Sequence, residues 1–210
     1  MSGMEIATMV GVLKVLPDIV DAGKVLWKKL VQPEKLAIGP DQDGVIDRTY
    51  FSGPYKFALS VPDDNWRFWK PSAEFRAGIG PMLATPYRDM PIMVMAKQMI
   101  RLFRPNVNVV VEDVGTFATL TEIMLINKQI IQRQGGMIDP NQTHLSDDGN
   151  VGIVVASQSY FDAPLYQVFV VYLRAGRTYT LIASYVPMSD DHPVLFGGLK
   201  EILDSFRFIE

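Results

Sequence analysis

The stretch Tyr166-Gln-Val-Phe-Val-Val-Tyr-Leu-Arg-Ala-Gly-Arg-Thr-Tyr-Thr-Leu-Ile-Ala-Ser184 decides the fold. It contains two long runs of Val, Tyr, Phe, Thr and Ile, which are residues that favour strands. Arg174-Ala-Gly-Arg177 separates the runs, and a short interruption that contains glycine is typical of a hairpin turn. The sequence therefore predicts an antiparallel pair of strands at 166–174 and 177–186.

The elements predicted around this hairpin place it in an α+β domain. Thr119-Leu-Thr-Glu122 is a capping box and Gly135-Gly136 is a stop signal, so a helix is expected between 116 and 134. Leu195 to Phe206 keeps helical spacing and predicts a second helix. The other predicted strands are 45–52, 55–61, 92–98, 106–111 and 150–157. Strands in two antiparallel groups, with one helix between them and another at the end, favour helices covering an antiparallel sheet over residues 45–210.

The first 31 residues form a separate unit in the sequence. Their apolar side chains recur every three or four positions, which predicts an amphipathic helical segment; it includes Leu13, Leu16, Trp27 and Leu30. Residues 32–44 hold two prolines and two glycines and are expected to be a linker. The helix either packs on its own domain or on a second copy of the chain, or it docks on a membrane surface or a larger assembly.

Composition limits the functional classes. The chain has 20 Lys and Arg and 23 Asp and Glu, for a net charge of −3. Because binding to nucleic acid relies on an excess of positive charge, we expect no nucleic acid partner. The chain contains no cysteine, which excludes a disulfide scaffold, a thiolate metal site and a cysteine nucleophile. The N-terminal apolar run has no preceding positive charge and contains Lys14, unlike an export signal, and we expect a cytoplasmic location.

Four motifs, in this order, resemble the PsbP-like superfamily, which includes the bacterial DcrB-like proteins. They are Phe57-Ala-Leu-Ser-Val-Pro-Asp-Asp-Asn-Trp66, Pro105-Asn-Val-Asn-Val-Val-Val111, Arg174-Ala-Gly-Arg-Thr-Tyr-Thr-Leu-Ile-Ala-Ser184 and Glu201-Ile-Leu-Asp-Ser-Phe-Arg-Phe208. The resemblance covers about residues 45–210. It implies an α/β/α sandwich around an antiparallel sheet, to which this chain adds its N-terminal helical segment.

For function, the resemblance implies binding and not catalysis. Such proteins act as photosystem assembly factors, as a nucleotide-release factor for a nuclear GTPase, or as chaperones for type VI secretion effectors. The family brings no catalytic motif that could be carried over to this chain. The resemblance therefore favours a non-enzymatic protein-binding or adaptor protein, chaperone-like in sheltering an apolar segment of a partner.

Large aromatic residues follow the predicted strand 55–61. Trp66-Arg-Phe-Trp-Lys70 combines aromatic residues with Arg67 and Lys70, and tryptophan and arginine are enriched at protein interfaces; we predict that Trp66, Arg67, Phe68 and Trp69 bind a partner. Phe161 and Tyr166 lie near another predicted loop, and we predict that they extend the same partner-binding surface. The alternative is that the aromatic side chains close one end of the core.

The sequence offers little for catalysis. His144 and His192 are the only histidines, and neither lies in a metal or nucleophile motif. Asp147-Asp-Gly-Asn150 lacks the other ligands of a calcium loop, and Asp63-Asp64 follows a proline in what we interpret as a solvated turn. We therefore expect no enzyme, no cofactor and no metal. The alternative function is a structural subunit attached to a membrane or assembly through residues 1–31.

Overall fold

The structure is a computed structural model that describes residues 38–72, 88–146, 149–161, 163–187 and 192–210. The predicted N-terminal helical segment and the first six residues of the linker lie outside this range. The elements are β1 (Asp43–Ile46), β2 (Thr49–Ser52), β3 (Phe57–Ser60), β4 (Trp66–Trp69), β5 (Arg88–Ala96), β6 (Asn106–Asp113), α1 (Leu120–Arg133), β7 (Met137–Ile138), β8 (His144–Leu145), β9 (Val151–Tyr160), β10 (Ala163–Arg174), β11 (Arg177–Tyr185), α2 (His192–Ser205) and β12 (Arg207–Phe208).

An eight-stranded antiparallel sheet forms the centre of the described chain. Its strands lie in the order β4-β5-β6-β11-β10-β9-β7, and β8 also pairs with β9. The predicted hairpin is confirmed, since β10 pairs with β11 from Tyr166 opposite Tyr185 to Arg174 opposite Arg177. Ala175 and Gly176 form its turn, both with φ in the left-handed region. The hairpin supplies two of the central strands, as its length and apolar content require.

A second sheet has the order β1-β2-β3-β12. Residues 45–52 were predicted to form one strand, and this prediction was wrong. Asp47 has a φ of 52°, a left-handed conformation that aspartate tolerates, and the chain reverses there so that Ile46 pairs with Thr49. The short strand β12 then pairs with β3, which attaches the chain's last residues to this sheet.

Helix α1 was predicted at 116–134; it begins at Leu120, four residues later and directly after the predicted capping residue Thr119, and it ends at Arg133, one residue before the predicted end. The Thr119 side chain accepts a hydrogen bond from the Glu122 backbone, and the Glu122 carboxylate accepts one from the Thr119 backbone, which completes the capping box. Gly135 follows the helix with a φ of 82°, the left-handed conformation that ends many helices. The buried face carries Leu120, Ile123, Met124 and Ile131.

The two described helices lie against opposite faces of the large sheet. Along β9, Ile153 and Val155 belong to the main core with the buried face of α2. Val154 and Ala156, which alternate with them, pack with residues of α1. The α2 face is also covered by the second sheet, so that layer is not purely helical as the sandwich prediction assumed. The described fold is mostly antiparallel sheet with two helices.

An aromatic cluster holds the end of the chain in the main core. Phe206 follows α2, and its ring centroid lies 5.4 Å from that of Phe57 and 5.2 Å from that of Tyr172. Phe208 on β12 contacts Tyr179 edge to face, with their centroids 4.8 Å apart. These rings join both sheets and α2, since aromatic pairs at such distances stabilise a core beyond the area they bury.

Candidate functional site

The aromatic stretch that the sequence singled out forms a strand. Trp66-Arg-Phe-Trp69 is β4, the edge strand of the large sheet, and pairs with β5 from Trp66 opposite Ala96 to Trp69 opposite Met93. It was predicted to lie beyond the end of a strand. The intervening turn is very short, because the Asp63 carboxylate accepts a hydrogen bond from the Asn65 backbone, and the chain re-enters a sheet at once.

The side chains of β4 alternate between the two faces of the sheet. Trp66 is only 4% exposed and Phe68 is half-buried, and both pack in the main core. A Cβ atom at Gly198 of α2 would lie 2.5 Å from the Trp66 indole nitrogen, so this ring sits directly on the helix backbone. Arg67 is exposed, and Trp69 is half-buried on the other face.

The structure does not bring the six predicted binding residues into one surface. Tyr166 lies on β10, which three strands separate from β4 in the sheet. Its ring stacks on Tyr185, with the centroids 5.7 Å apart. Phe161 lies in the turn before β10 and is 78% exposed. The predicted docking residues Leu13, Leu16, Trp27 and Leu30 lie outside the described residues.

A groove lies instead between α1 and the sheet. The cavity has a volume of about 220 Å³. Its apolar lining comprises Met90, Val110, Ile130, Ile131, Phe169 and Ile182. Its polar lining comprises Asn108, Glu112, Asn127, Gln134, Gln158, Gln167 and Thr180. Helix α1 contributes three of these residues, its C-cap residue Gln134 contributes one and the sheet contributes nine, so the groove follows one side of α1.

Five carboxamides and one carboxylate give the groove its polar character. A carboxamide both donates and accepts hydrogen bonds. Gln167 donates to the Ser184 hydroxyl at 3.3 Å, whereas the Asn108 side-chain oxygen is buried and has no hydrogen-bond partner. Because a buried polar atom without a partner costs stability, this oxygen favours a ligand that brings an N–H or O–H donor.

An irregularity in β5 places Met90 in the groove. Asp89 pairs with Val111 but Ile92 pairs with Val109, so the register shifts between them. The Asp89 carboxylate accepts a hydrogen bond of 2.7 Å from the Tyr55 hydroxyl, which anchors this part of β5 to the loop before β3. Burial, with a further contribution from Asp89, raises the pKa of Tyr55.

The described residues that line the groove include no Asp, His or Ser. His144 lies on the short strand β8 and does not line the groove, and Asp64 pairs with Arg48 at 3.2 Å in the turn before β4. Within the described ranges, no group of three His, Asp or Glu side chains is arranged to hold a metal ion. No helix in the described part of the chain is long and apolar enough to cross a membrane.

None of the six binding residues that the sequence predicted lines this groove. One signal was present: Asn108 interrupts the valine run of β6, and asparagine is depleted in strands. Gln158 and Gln167 are similar interruptions on β9 and β10. The contribution of α1 depends on contacts between distant parts of the chain, which local patterns do not give.

Among solved structures, the chain is similar to two proteins at low sequence identity. One match is cyanobacterial PsbP (CyanoP) from Synechocystis, with 13% identity and a TM-score of 0.49, covering 79% of this chain and 95% of that one. Another is LpqN, described as involved in cell envelope biogenesis of Mycobacterium tuberculosis, also with 13% identity and a TM-score of 0.49, covering 75% and 86%. No family model matches the chain, and no curated protein matches it. Likenesses at this level carry no function across.

Proposed function

We propose that this chain is a non-enzymatic binding protein whose groove holds an uncharged, apolar segment of a protein partner. The observation that carries the proposal is the groove itself, whose lining combines six apolar side chains with five carboxamides. Carboxamides can pair with the backbone N–H and C=O groups of a bound segment while the floor receives its side chains.

The size of the groove favours part of a protein over a whole small molecule. Small-molecule pockets measure roughly 300–1,000 Å³, and this cavity measures about 220 Å³. It has room for a few side chains of a larger ligand. Among the described lining residues Glu112 is the only charged one, so a segment with several charges would bring unpaired charge against the apolar side chains of the groove.

An array of short synthetic peptides tests the proposal. One set contains uncharged apolar sequences, and a matched set replaces alternate residues with Lys or Glu. We expect the full chain to bind the uncharged set. Ile182→Arg, which places a charge on the floor, should weaken binding about tenfold or more, which corresponds to about 1.4 kcal/mol. Leu125→Arg, at an exposed position of α1 outside the groove, is the matched control.

A second variant separates binding from folding. Asn108→Val removes the buried oxygen that lacks a partner, so we expect equal or greater stability in urea together with weaker peptide binding. If no peptide binds, or if Ile182→Arg and Leu125→Arg bind the array equally, the groove is not the binding site. If Asn108→Val binds as tightly as the unmodified chain, its oxygen plays no part in recognition.

A further inference from the structure

Two loops at one end of the large sheet expose apolar side chains. The loop between β5 and β6 carries Met99, 51% exposed, and Leu102, 73% exposed. The turn between β9 and β10 carries Phe161, 78% exposed. Phe103 and Tyr160 join the loops, with ring centroids 5.3 Å apart, and Tyr160 contacts Phe161 at 4.8 Å. We call these five residues the apolar tip; none of them lines the groove.

The backbone of the apolar tip is strained at its exposed residues. Ile100 and Phe103 exchange two backbone hydrogen bonds of 2.6 and 2.7 Å, which closes a tight turn over Arg101 and Leu102. Both turn residues are left-handed, with φ of 45° and 65°, and Phe161 has a φ of 50°. Turns of this kind favour asparagine and glycine, because a side chain in this conformation meets the backbone.

Leucine and phenylalanine are unusual residues at the left-handed positions 102 and 161. The other described non-glycine residues with left-handed φ are small or polar: Asp47, Lys56, Arg101 and Ala175. Leu102 and Phe161 alone are large and apolar, and both lie in the apolar tip. Strained residues that the fold does not need are concentrated at functional sites.

The β5–β6 loop of the apolar tip carries three basic residues, and the exposed turn with Asp63 and Asp64 adjoins its start, where the Lys97 backbone donates to the Asn65 carbonyl. Lys97 and Arg101 are exposed, and the Arg104 guanidinium donates to the carbonyls of Ala96 and Lys97 across the base of its loop. The described residues of the two loops contain no acidic side chain. Asp162, the sequence neighbour of Phe161, lies outside the described residues. Exposed apolar side chains flanked by lysine and arginine match a bilayer surface that carries anionic lipid headgroups.

We propose that the apolar tip inserts Leu102 and Phe161 into the surface of an anionic membrane. The apolar side chains stand on two separate turns as projecting residues, whereas protein hot spots lie in packed, fully desolvated pockets. The tip enters the headgroup region while Lys97 and Arg101 contact lipid phosphates. Contact of this kind is peripheral and needs no spanning helix.

Sedimentation of the full chain with lipid vesicles tests this site. One set of vesicles is phosphatidylcholine alone, and the other contains phosphatidylserine as well. We expect binding to the anionic vesicles, with a loss of about tenfold for Leu102→Gly and for Phe161→Gly, since each removes one inserted side chain. Arg101→Gln should weaken binding to the anionic vesicles about fivefold and leave neutral vesicles unaffected.

Two controls keep the result interpretable. Glycine relieves the left-handed strain, so Leu102→Gly should melt roughly 2 to 4 °C higher than the unmodified chain while it binds less. Phe117→Gly changes a side chain that is 97% exposed beyond the opposite end of β6 and should retain binding. Because residues 1–31 are also predicted to be amphipathic, binding by the unmodified chain alone does not support the proposal.

Three outcomes would overturn this assignment. The unmodified chain stays in the supernatant with anionic vesicles, Leu102→Gly sediments as well as the unmodified chain, or Phe117→Gly loses as much binding as Leu102→Gly. If the unmodified chain does not bind vesicles but self-associates, and Leu102→Gly self-associates less than the unmodified chain, the apolar tip is a protein interface.

Discussion

The contact between Trp66 and Gly198 gives the sharpest test of the packing. A Cβ at position 198 would lie 2.5, 2.8 and 2.9 Å from Nε1, Cζ2 and Cε2 of the indole ring. The ring is buried and its strand is paired with β5, so it cannot swing aside. Gly198→Ala gains up to about 1 kcal/mol of helix propensity but forces an overpacked contact that costs roughly 1–3 kcal/mol.

The neighbouring Gly197→Ala is a matched control. A Cβ there meets no heavy atom within 4 Å, so it gains the propensity without the clash. We expect Gly198→Ala to be less stable than Gly197→Ala by about 1–3 kcal/mol, or roughly 2 to 12 °C in melting temperature. Urea and thermal unfolding followed by circular dichroism measure the difference, and Trp66→Phe should reduce it. Equal stability of the two glycine variants, within about 0.5 kcal/mol, would show that the ring does not rest on the helix.

Three smaller predictions concern a hydrogen bond, a helix cap and a close approach. Tyr55→Phe removes the bond to Asp89, and we expect a loss of about 1 kcal/mol in urea unfolding. The raised pKa of Tyr55 contributes stability that is present below about pH 10 and is lost as pH rises further, so the alkaline decline should be smaller in this variant. Hydrogen bonds from the side chain and backbone of the N-cap residue Thr119 lower the pKa of the Glu122 carboxyl. The stabilisation that the ionised Glu122 gives to the folded state is therefore present above the usual pKa of glutamate and is lost as pH falls through the lowered pKa. Glu122→Gln should remove this acid dependence of helix content, measured by circular dichroism. Gly152→Ala places a methyl group against the flexible Met124 side chain and should cost about 1 kcal/mol in urea unfolding, less than a clash with a rigid ring would.

Local signals predicted the elements that depend on neighbours in the sequence. The Arg174-Ala-Gly-Arg177 turn joins two strands whose register follows from it, since a short turn fixes which residues are opposite. The capping box at Thr119 and the stop at Gly135 likewise act within one turn of the helix that they delimit. In both cases the chemistry that forms the element is contained in the motif.

The structure departs from the prediction where contacts between residues distant in sequence determine the local structure. Trp66-Arg-Phe-Trp69 is a strand because β5 pairs with it across a long stretch of chain, and no local turn pattern indicates this partner. The interface predicted from its aromatic and basic residues stays a prediction, and an edge strand with one buried face also requires side chains that alternate between buried and exposed. The groove depended on where α1 settles on the sheet, which follows from contacts with β7, β9 and β10.

The position of the groove follows from how the sheet is covered. Seven strands side by side span about 29 Å at roughly 4.8 Å per strand, whereas one helix is about 10 Å wide. A single helix therefore covers two or three strands, and α1 packs on β7, β9 and β10. On the opposite face, α2 shares the area with the second sheet. Among the described residues, the α1 side has no such second element, and the groove lies there, beside the helix and over β6 and β11. The segment that we propose to bind there would lie alongside α1 on this face of the sheet.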